Sequence, residues 1–212
     1  MLKIIAAALA GLSLTACAMG TTNISLAKAP IARPALLAEA PSRMVAITQI
    51  TDSRDETMRD RIGDKRNGYG MVMGKIGTTE PVPDVVKKVL TDTFTANKHK
   101  VVTDAAGANV KVDAEITKFW FDYKVGLVTV EFFADAQVRM SVKDANNAEI
   151  FKHDFKGYAS EKTAGGLSDV WTRVMDAALA DLSREISLST DLKAALEKAN
   201  QNLAAAAGQP AS

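Results

Sequence analysis

Cysteine, histidine and aromatic side chains are all scarce in this chain of 212 residues, which holds one cysteine, two histidines and 6% aromatics. A single cysteine excludes an intramolecular disulfide, so the fold has to rest on its apolar core. The histidines, His99 and His153, stand apart among Lys and Asp residues. Metal sites gather several His, Cys or carboxylate ligands, so neither a metal nor another cofactor is expected. No G-x-S-x-G string accompanies the histidines, which disfavours a serine hydrolase. The phosphate-binding pattern G-x-x-x-x-G-K-[ST] is missing too, and the strings Gly68-Tyr69-Gly70 and Gly74 to Gly77 read as turns or a flap. Charge of one sign is also lacking: 26 Lys and Arg face 25 Asp and Glu. Without a basic block there is no electrostatic footprint for nucleic acid or for a broad anionic lipid surface.

Long apolar runs are confined to the N-terminus. Residues 1–16 carry one positive charge at Lys3, no acidic residue, and an apolar run from Ile4 to Leu14. This is a signal-peptide layout, and the run is about half the ~20 residues of a spanning helix. Leu14-Thr15-Ala16-Cys17 looks like a lipobox, in which a branched apolar residue and two small residues precede a cysteine that accepts diacylglycerol. Lipidation of Cys17 is therefore expected, with the membrane as a partner through covalent acyl chains. Ala18 is not an aspartate of the kind that retains enteric lipoproteins in the inner membrane, so the periplasmic side of the outer membrane is the expected location.

Residues 17–42 are rich in Ala, Pro, Ser and Thr and read as a flexible tether. A flexible tether of this length spans about 25 to 30 Å and would let the domain stand clear of the headgroups. A single folded domain is expected over 43–199, and a frayed Ala-rich tail over 200–212.

Within the domain, Met44 to Ile50 alternates as a strand, and the charged stretch Asp52 to Arg66 reads as a long exposed loop. Gly70 to Ile76 forms a second strand or hairpin arm. Pro83 and Asp84, the latter as N-cap, open a helix whose Val85, Val86, Val89, Leu90 and Phe94 share one face. The clearest pattern lies in the eight alternating apolar residues from Val128 to Val142. Val110 to Ile116 alternates before them, so the pair predicts a long antiparallel hairpin. Apolar parity flips before Phe119, Phe121 and Tyr123, which requires a bulge or a change of covering surface. A third strand from Glu149 to Ser160 follows the turn at Ala145-Asn146-Asn147. A helix from Ser168 to Ile186 and a short one from Asp191 to Ala199 close the domain. The class is α+β: a mainly antiparallel twisted sheet with two principal helices packed on one face.

This order, behind a lipobox and tether, resembles the YajG family of bacterial lipoproteins. The resemblance covers roughly Val45 to Leu196. It is carried by Val45-Ala46-Ile47 followed by Asp52-Ser53-Arg54, by the helix Val85 to Phe94 followed by Lys98 to Val102, and by Val174 to Ile186. It implies a location and an architecture, and no catalytic activity. A broader similarity, to auxiliary lipoproteins of envelope lipid-transport systems, implies domains assembled around an apolar path.

Two candidate sites follow. Asp52, Arg54 and Asp55 come directly after a strand, where a loop presents acid and guanidinium to a ligand, or alternatively pairs them to fix the strand end. Phe119, Trp120, Phe121 and Tyr123, with Phe132 and Phe133 opposite, concentrate the aromatic area in one hairpin. Consecutive residues of a strand point to opposite faces, so some of these rings must leave the core. An exposed aromatic patch would contact another envelope protein, a second copy of the chain or an apolar ligand. A non-catalytic accessory or binding lipoprotein is thus expected, with a lipid-transport auxiliary as the alternative and a periplasmic hydrolase as the least favoured reading.

Overall fold

The alternation from Val110 and from Val130 produces two long strands of 16 and 15 residues, and the rest of the fold is arranged on their edges. A computed structural model describes residues 20–26, 33–67, 69–164 and 168–207. In it β6 (Val110–Val125), β7 (Val130–Asp144) and β8 (Glu149–Thr163) form the antiparallel meander predicted from the pattern. Their inward residues, among them Val112, Ile116, Phe119, Phe121, Ala134, Val138 and Met140, are buried. The register of β6 on β7 shifts between Ile116 and Lys118, which is the bulge that the change of parity required. Asn147, at φ 64°, makes the left-handed turn into β8.

The other edge of β6 is shared by two strands laid end to end. β2 (Met44–Asp52) pairs parallel with its first half, from Val110 to Ile116, and β3 (Gly63–Arg66) pairs parallel with its second half at Phe121. β5 (Lys100–Val102) extends the sheet beyond β2, while β4 (Val72–Thr78) and β1 (Thr22–Ile24) extend it beyond β3. The sheet is mixed, and the class is α+β as the sequence predicts. The long pairings are antiparallel, and the parallel ones are the short additions around them.

Two helices cover one face. α1 (Val82–Ala96) lies on β2 and β5, and α2 (Ser168–Ser187) lies on β7 and β8. They touch each other through Thr93 and Ser183, whose hydroxyls are 2.7 Å apart, and through Asn97, which donates to the Ser187 hydroxyl at 2.9 Å. Gly157 lets α2 come this close: a Cβ there would stand 2.1 Å from the Ala178 carbonyl oxygen and 2.5 Å from the Leu182 nitrogen. Each large aliphatic side chain under these helices contributes roughly 1.5 to 3 kcal/mol by burial. α3 (Thr190–Ala207) packs on β8 and on a 3₁₀ turn at Leu36–Glu39.

Several expectations need correction. The stretch read as a tether contributes β1 and the 3₁₀ turn, with Ile24, Leu26 and Leu37 all buried. Glu80 accepts hydrogen bonds from the Ser25 hydroxyl and the Leu26 amide, and the Asn97 side chain accepts from the Ala35 amide. Isolated Ile and Leu residues in a Pro- and Ala-rich stretch show no period, so only their tertiary partners reveal their burial. The presumed exposed loop Asp52 to Arg66 holds β3 and the buried Ile62 and Arg54. Asp84 is no N-cap: Pro81 occupies that position, with Asp84 in the first turn. The last helix runs past Ala199 to Ala207. The signal peptide, Leu14, Thr15, Ala16 and Cys17 lie outside the described residues, as does Gly68.

Candidate functional site

The two regions singled out in the sequence meet. β2 and β3 do not abut, and between them the edge of β6 that faces away from β7, from Thr117 to Trp120, has no strand partner among the described residues. The Asp52 to Ile62 connection spans that gap. The Ser53 amide donates to the Ile116 carbonyl at 3.0 Å, and the Phe121 amide donates to the Ile62 carbonyl at 2.6 Å. Between these two bonds, the Arg54 guanidinium donates to the Phe119 carbonyl at 3.2 Å and to the Arg61 carbonyl at 3.0 Å. Its Nε and Nη2 grip the Asp52 carboxylate at 2.9 and 2.7 Å. Arg54 is 5% exposed and lies 6.0 Å from the Phe119 ring centre.

Burial pushes the Asp52 carboxyl up, but the hydrogen bonds and charge of Arg54 outweigh this and hold it below the usual carboxylate range. Asp52 and Arg54 therefore bind each other and the backbone, and the alternative of a pair that fixes the strand end is the one observed. Asp55 faces solvent and caps the next turn, accepting from the Thr57 amide at 2.9 Å and the Thr57 hydroxyl at 2.6 Å.

The aromatic residues divide by face. Phe119 and Phe121 are buried under the helices, and Phe121 stacks on Phe132 with ring centres 5.8 Å apart. Tyr123 is partly buried and its hydroxyl bridges the Arg66 amide and carbonyl, both at 2.8 Å. Trp120 and Phe133 point to the outer face and are half-buried there. Trp120 stands opposite Asp135, and Asp135 opposite Tyr158, which is 47% exposed. Burial raises the Asp135 carboxyl, and hydrogen bonds from Lys118 and Gln137 more than reverse the shift. No described helix covers this face, which is otherwise a ladder of cross-strand ion pairs such as Lys143 to Asp113 and Arg139 to Asp154.

Beside Trp120 the Arg54 to Met58 turn rises from the sheet edge and makes a groove of about 340 Å³. Its walls are Asp55, Met58, Thr117, Lys118, Phe119 and Trp120. Met58, 41% exposed, and Lys118 escaped the sequence reading. The one available signal was that Met58 and Ile62 are the two large apolar residues in the charged stretch from Asp52 to Arg66.

Comparison with solved structures adds the architecture to this picture. A protein from Xanthomonas campestris assigned to family DUF330 superposes with a TM-score of 0.59 at 14% identity, covering 85% of this chain and 99% of its own. The likeness is one of fold. A minor lipoprotein from Acinetobacter baumannii matches with a TM-score of 0.37 at 12% identity over 69% of this chain and 92% of its own. For the uncharacterized lipoprotein B of Nitrosomonas europaea the figures are 0.39, 15%, 78% and 94%. The sequence matches no protein-family model and no curated protein.

A larger cleft, of about 510 Å³, lies beside β1 and the start of α1. It is lined by Arg54, Arg59 and Arg61 together with Asp52, Asp60 and Glu80, so its charges balance. Among the described residues no three His, Cys, Asp or Glu side chains are grouped to hold a metal ion. His99 is buried against Phe94, with ring centres 5.9 Å apart, and lines neither groove: burial lowers its pKa, the Leu37 backbone opposes that, and the Arg43 charge adds to the lowering.

Proposed function

We propose that this chain is a non-catalytic, lipid-anchored lipoprotein of the bacterial envelope that binds another envelope component through the outer face of its sheet. The observation that carries the binding role is the groove between Met58 and Trp120, an apolar slot on an uncovered face whose edges are the two regions nominated by the sequence. Anchoring rests on the Ile4 to Leu14 run and on Leu14-Thr15-Ala16-Cys17, with the only thiol in the chain at the acyl-acceptor position. The YajG resemblance supports the same reading, and Ala18 favours the outer membrane, periplasmic face.

A photoreactive residue in place of Met58 tests the binding role in intact cells. The expected result is one discrete adduct that disappears when Trp120→Asp is added. Diffuse labelling unaffected by Trp120→Asp sinks the proposal. Lipid anchoring is tested by the mass of the native N-terminal peptide, and a free Cys17 thiol would overturn it.

The apolar walls of the groove favour one further reading, an auxiliary lipoprotein of an envelope lipid-transport system. In that case purified protein carries lipid, and Trp120→Asp strips it.

A further inference from the structure

The sheet ends in two apolar tips side by side. β3 and β6 run parallel, with Gly63 opposite Phe121 and the Tyr123 hydroxyl bonded to the backbone of Arg66. The turn after β3 and the turn after β6 therefore leave the same end of the sheet. The first exposes Tyr69, Met71 and Val72, and the second exposes Val125, Leu127 and Val128. Tyr69, Leu127 and Val128 have relative exposures of 92%, 106% and 83%. Turns normally carry Gly, Pro, Asn, Asp or Ser, so large apolar residues at neighbouring tips call for a covering surface.

The route of the N-terminal segment says what covers them. β1 runs parallel to β4 with Thr22 opposite Ile76, and the Gly20 carbonyl approaches so closely that a Cβ on Gly74 would stand 2.5 Å from its oxygen. β4 begins at Val72, in the same exposed turn. The chain thus enters the domain from the end where the tips lie. Cys17, outside the described residues, is three residues before Gly20 and within about 11 Å of it by the reach of an extended chain. A domain with an anchor this short cannot stand far off the bilayer that holds the anchor.

We infer that this end of the sheet is a membrane-docking edge, on which Tyr69, Met71, Val72, Val125, Leu127 and Val128 enter the bilayer that holds the Cys17 acyl chains. The inference rests on the acylation proposed above. Insertion is apolar rather than electrostatic, since the flanking charges balance: Arg66 pairs with Asp122 at 3.8 Å and Lys162 with Glu131 at 4.0 Å, and Lys124 lies over the Phe133 ring at 5.5 Å. Docking presents the groove between Met58 and Trp120 to the side, facing along the membrane and open to a periplasmic partner.

The test uses the full lipidated protein, purified from membranes and reconstituted into vesicles of phosphatidylethanolamine and phosphatidylglycerol. Lipid occupies the only native thiol, so Leu127→Cys or Tyr69→Cys supplies a unique site for an environment-sensitive fluorophore. Asn146→Cys, in the β7–β8 turn at the opposite end, is the control. Both tip labels are expected to shift to the blue on reconstitution and to be quenched by lipids spin-labelled on their acyl chains, and the Asn146 label to do neither. Adding Leu127→Asp and Val128→Asp, which touch no core contact, should abolish quenching at Tyr69 while the protein stays on the vesicles. A water-exposed Leu127 label on vesicle-held protein overturns the docking edge. A blue shift without lipid quenching also overturns it, because protein and not lipid then covers the tips. Protein that washes off the vesicles with a free Cys17 thiol overturns the acylation reading instead.

Discussion

The Arg54 guanidinium donates to the Phe119 carbonyl at 3.2 Å, at the point where the edge of β6 passes from β2 to β3. A buried carbonyl on a sheet edge needs a donor, and among the described residues no strand pairs with β6 on this edge at Phe119. A side chain stands in for the missing strand, and Asp52 in turn neutralises it. The same connection raises Met58 over the outer face, so the pair that closes the sheet also shapes the groove.

Replacing that guanidinium should therefore unsettle the whole edge. Arg54→Ala leaves Asp52 without its partner and the Phe119 carbonyl without a donor, and is expected to cost about 3 kcal/mol. Arg54→Lys restores the charge but not the fork, and should recover only part of the loss. Asp55→Ala removes only a solvent-exposed cap and should cost clearly less than Arg54→Ala. Urea unfolding followed by far-ultraviolet circular dichroism measures all three. Equal losses for Arg54→Ala and Asp55→Ala would refute the bridging role.

Among the described glycines, Gly157→Ala is expected to be the most damaging substitution. Its Cβ would meet the α2 backbone at Ala178 and Leu182, which cannot rotate away as a side chain does. Overpacking of this kind costs about 2 to 3 kcal/mol. Gly126→Ala, in the β6–β7 turn, is a milder comparison. A thermal melt within a degree or two of wild type for Gly157→Ala would show that α2 is free to shift.

Asn97 ties the N-terminal segment to both helices. Its side chain accepts from the Ala35 amide at 2.9 Å and donates to the Thr93 carbonyl at 2.8 Å and the Ser187 hydroxyl at 2.9 Å, fully buried. Asn97→Ala should cost roughly 2 to 3 kcal/mol by leaving those groups unpaired. Hydrogen exchange should speed up first at Ala35 and Leu37. Uniform acceleration across the domain would argue against a local tie.

Acid should weaken the fold in two separable stages. His99 has a lowered pKa in the fold, chiefly through burial, so the unfolded chain takes up its proton first. Its contribution is intact above about pH 6.5 and declines as pH falls through its depressed folded value. Asp52, Asp113 and Asp135 are also held low, each raised by burial but lowered further by its cationic partner. Their contribution is intact above about pH 4 and is lost as pH falls through their folded values. His99→Leu should flatten the upper stage and leave the lower one, as read from urea midpoints over that range. An unchanged upper stage would move its origin elsewhere.

Period and parity in the sequence were enough to determine the meander, the two covering helices, the bulge after Ile116 and the α+β class. Each depends on which face of one element is apolar, and a run of eight alternating residues states that without reference to any neighbour. Aromatic residues on consecutive positions likewise declared that some ring must leave the core, and Trp120 and Phe133 do. Tertiary structure alone decided where β1 and β3 pair, because three or four residues are too few for a period and gain their stability from a sheet edge already formed. It alone turned Arg54 inward, since a guanidinium in a charged stretch looks solvated until a carbonyl that needs it is placed beside it. And it alone brought the Met58 turn to Trp120 and the two apolar tips to one end, because contacts between segments far apart in sequence leave no mark in either segment.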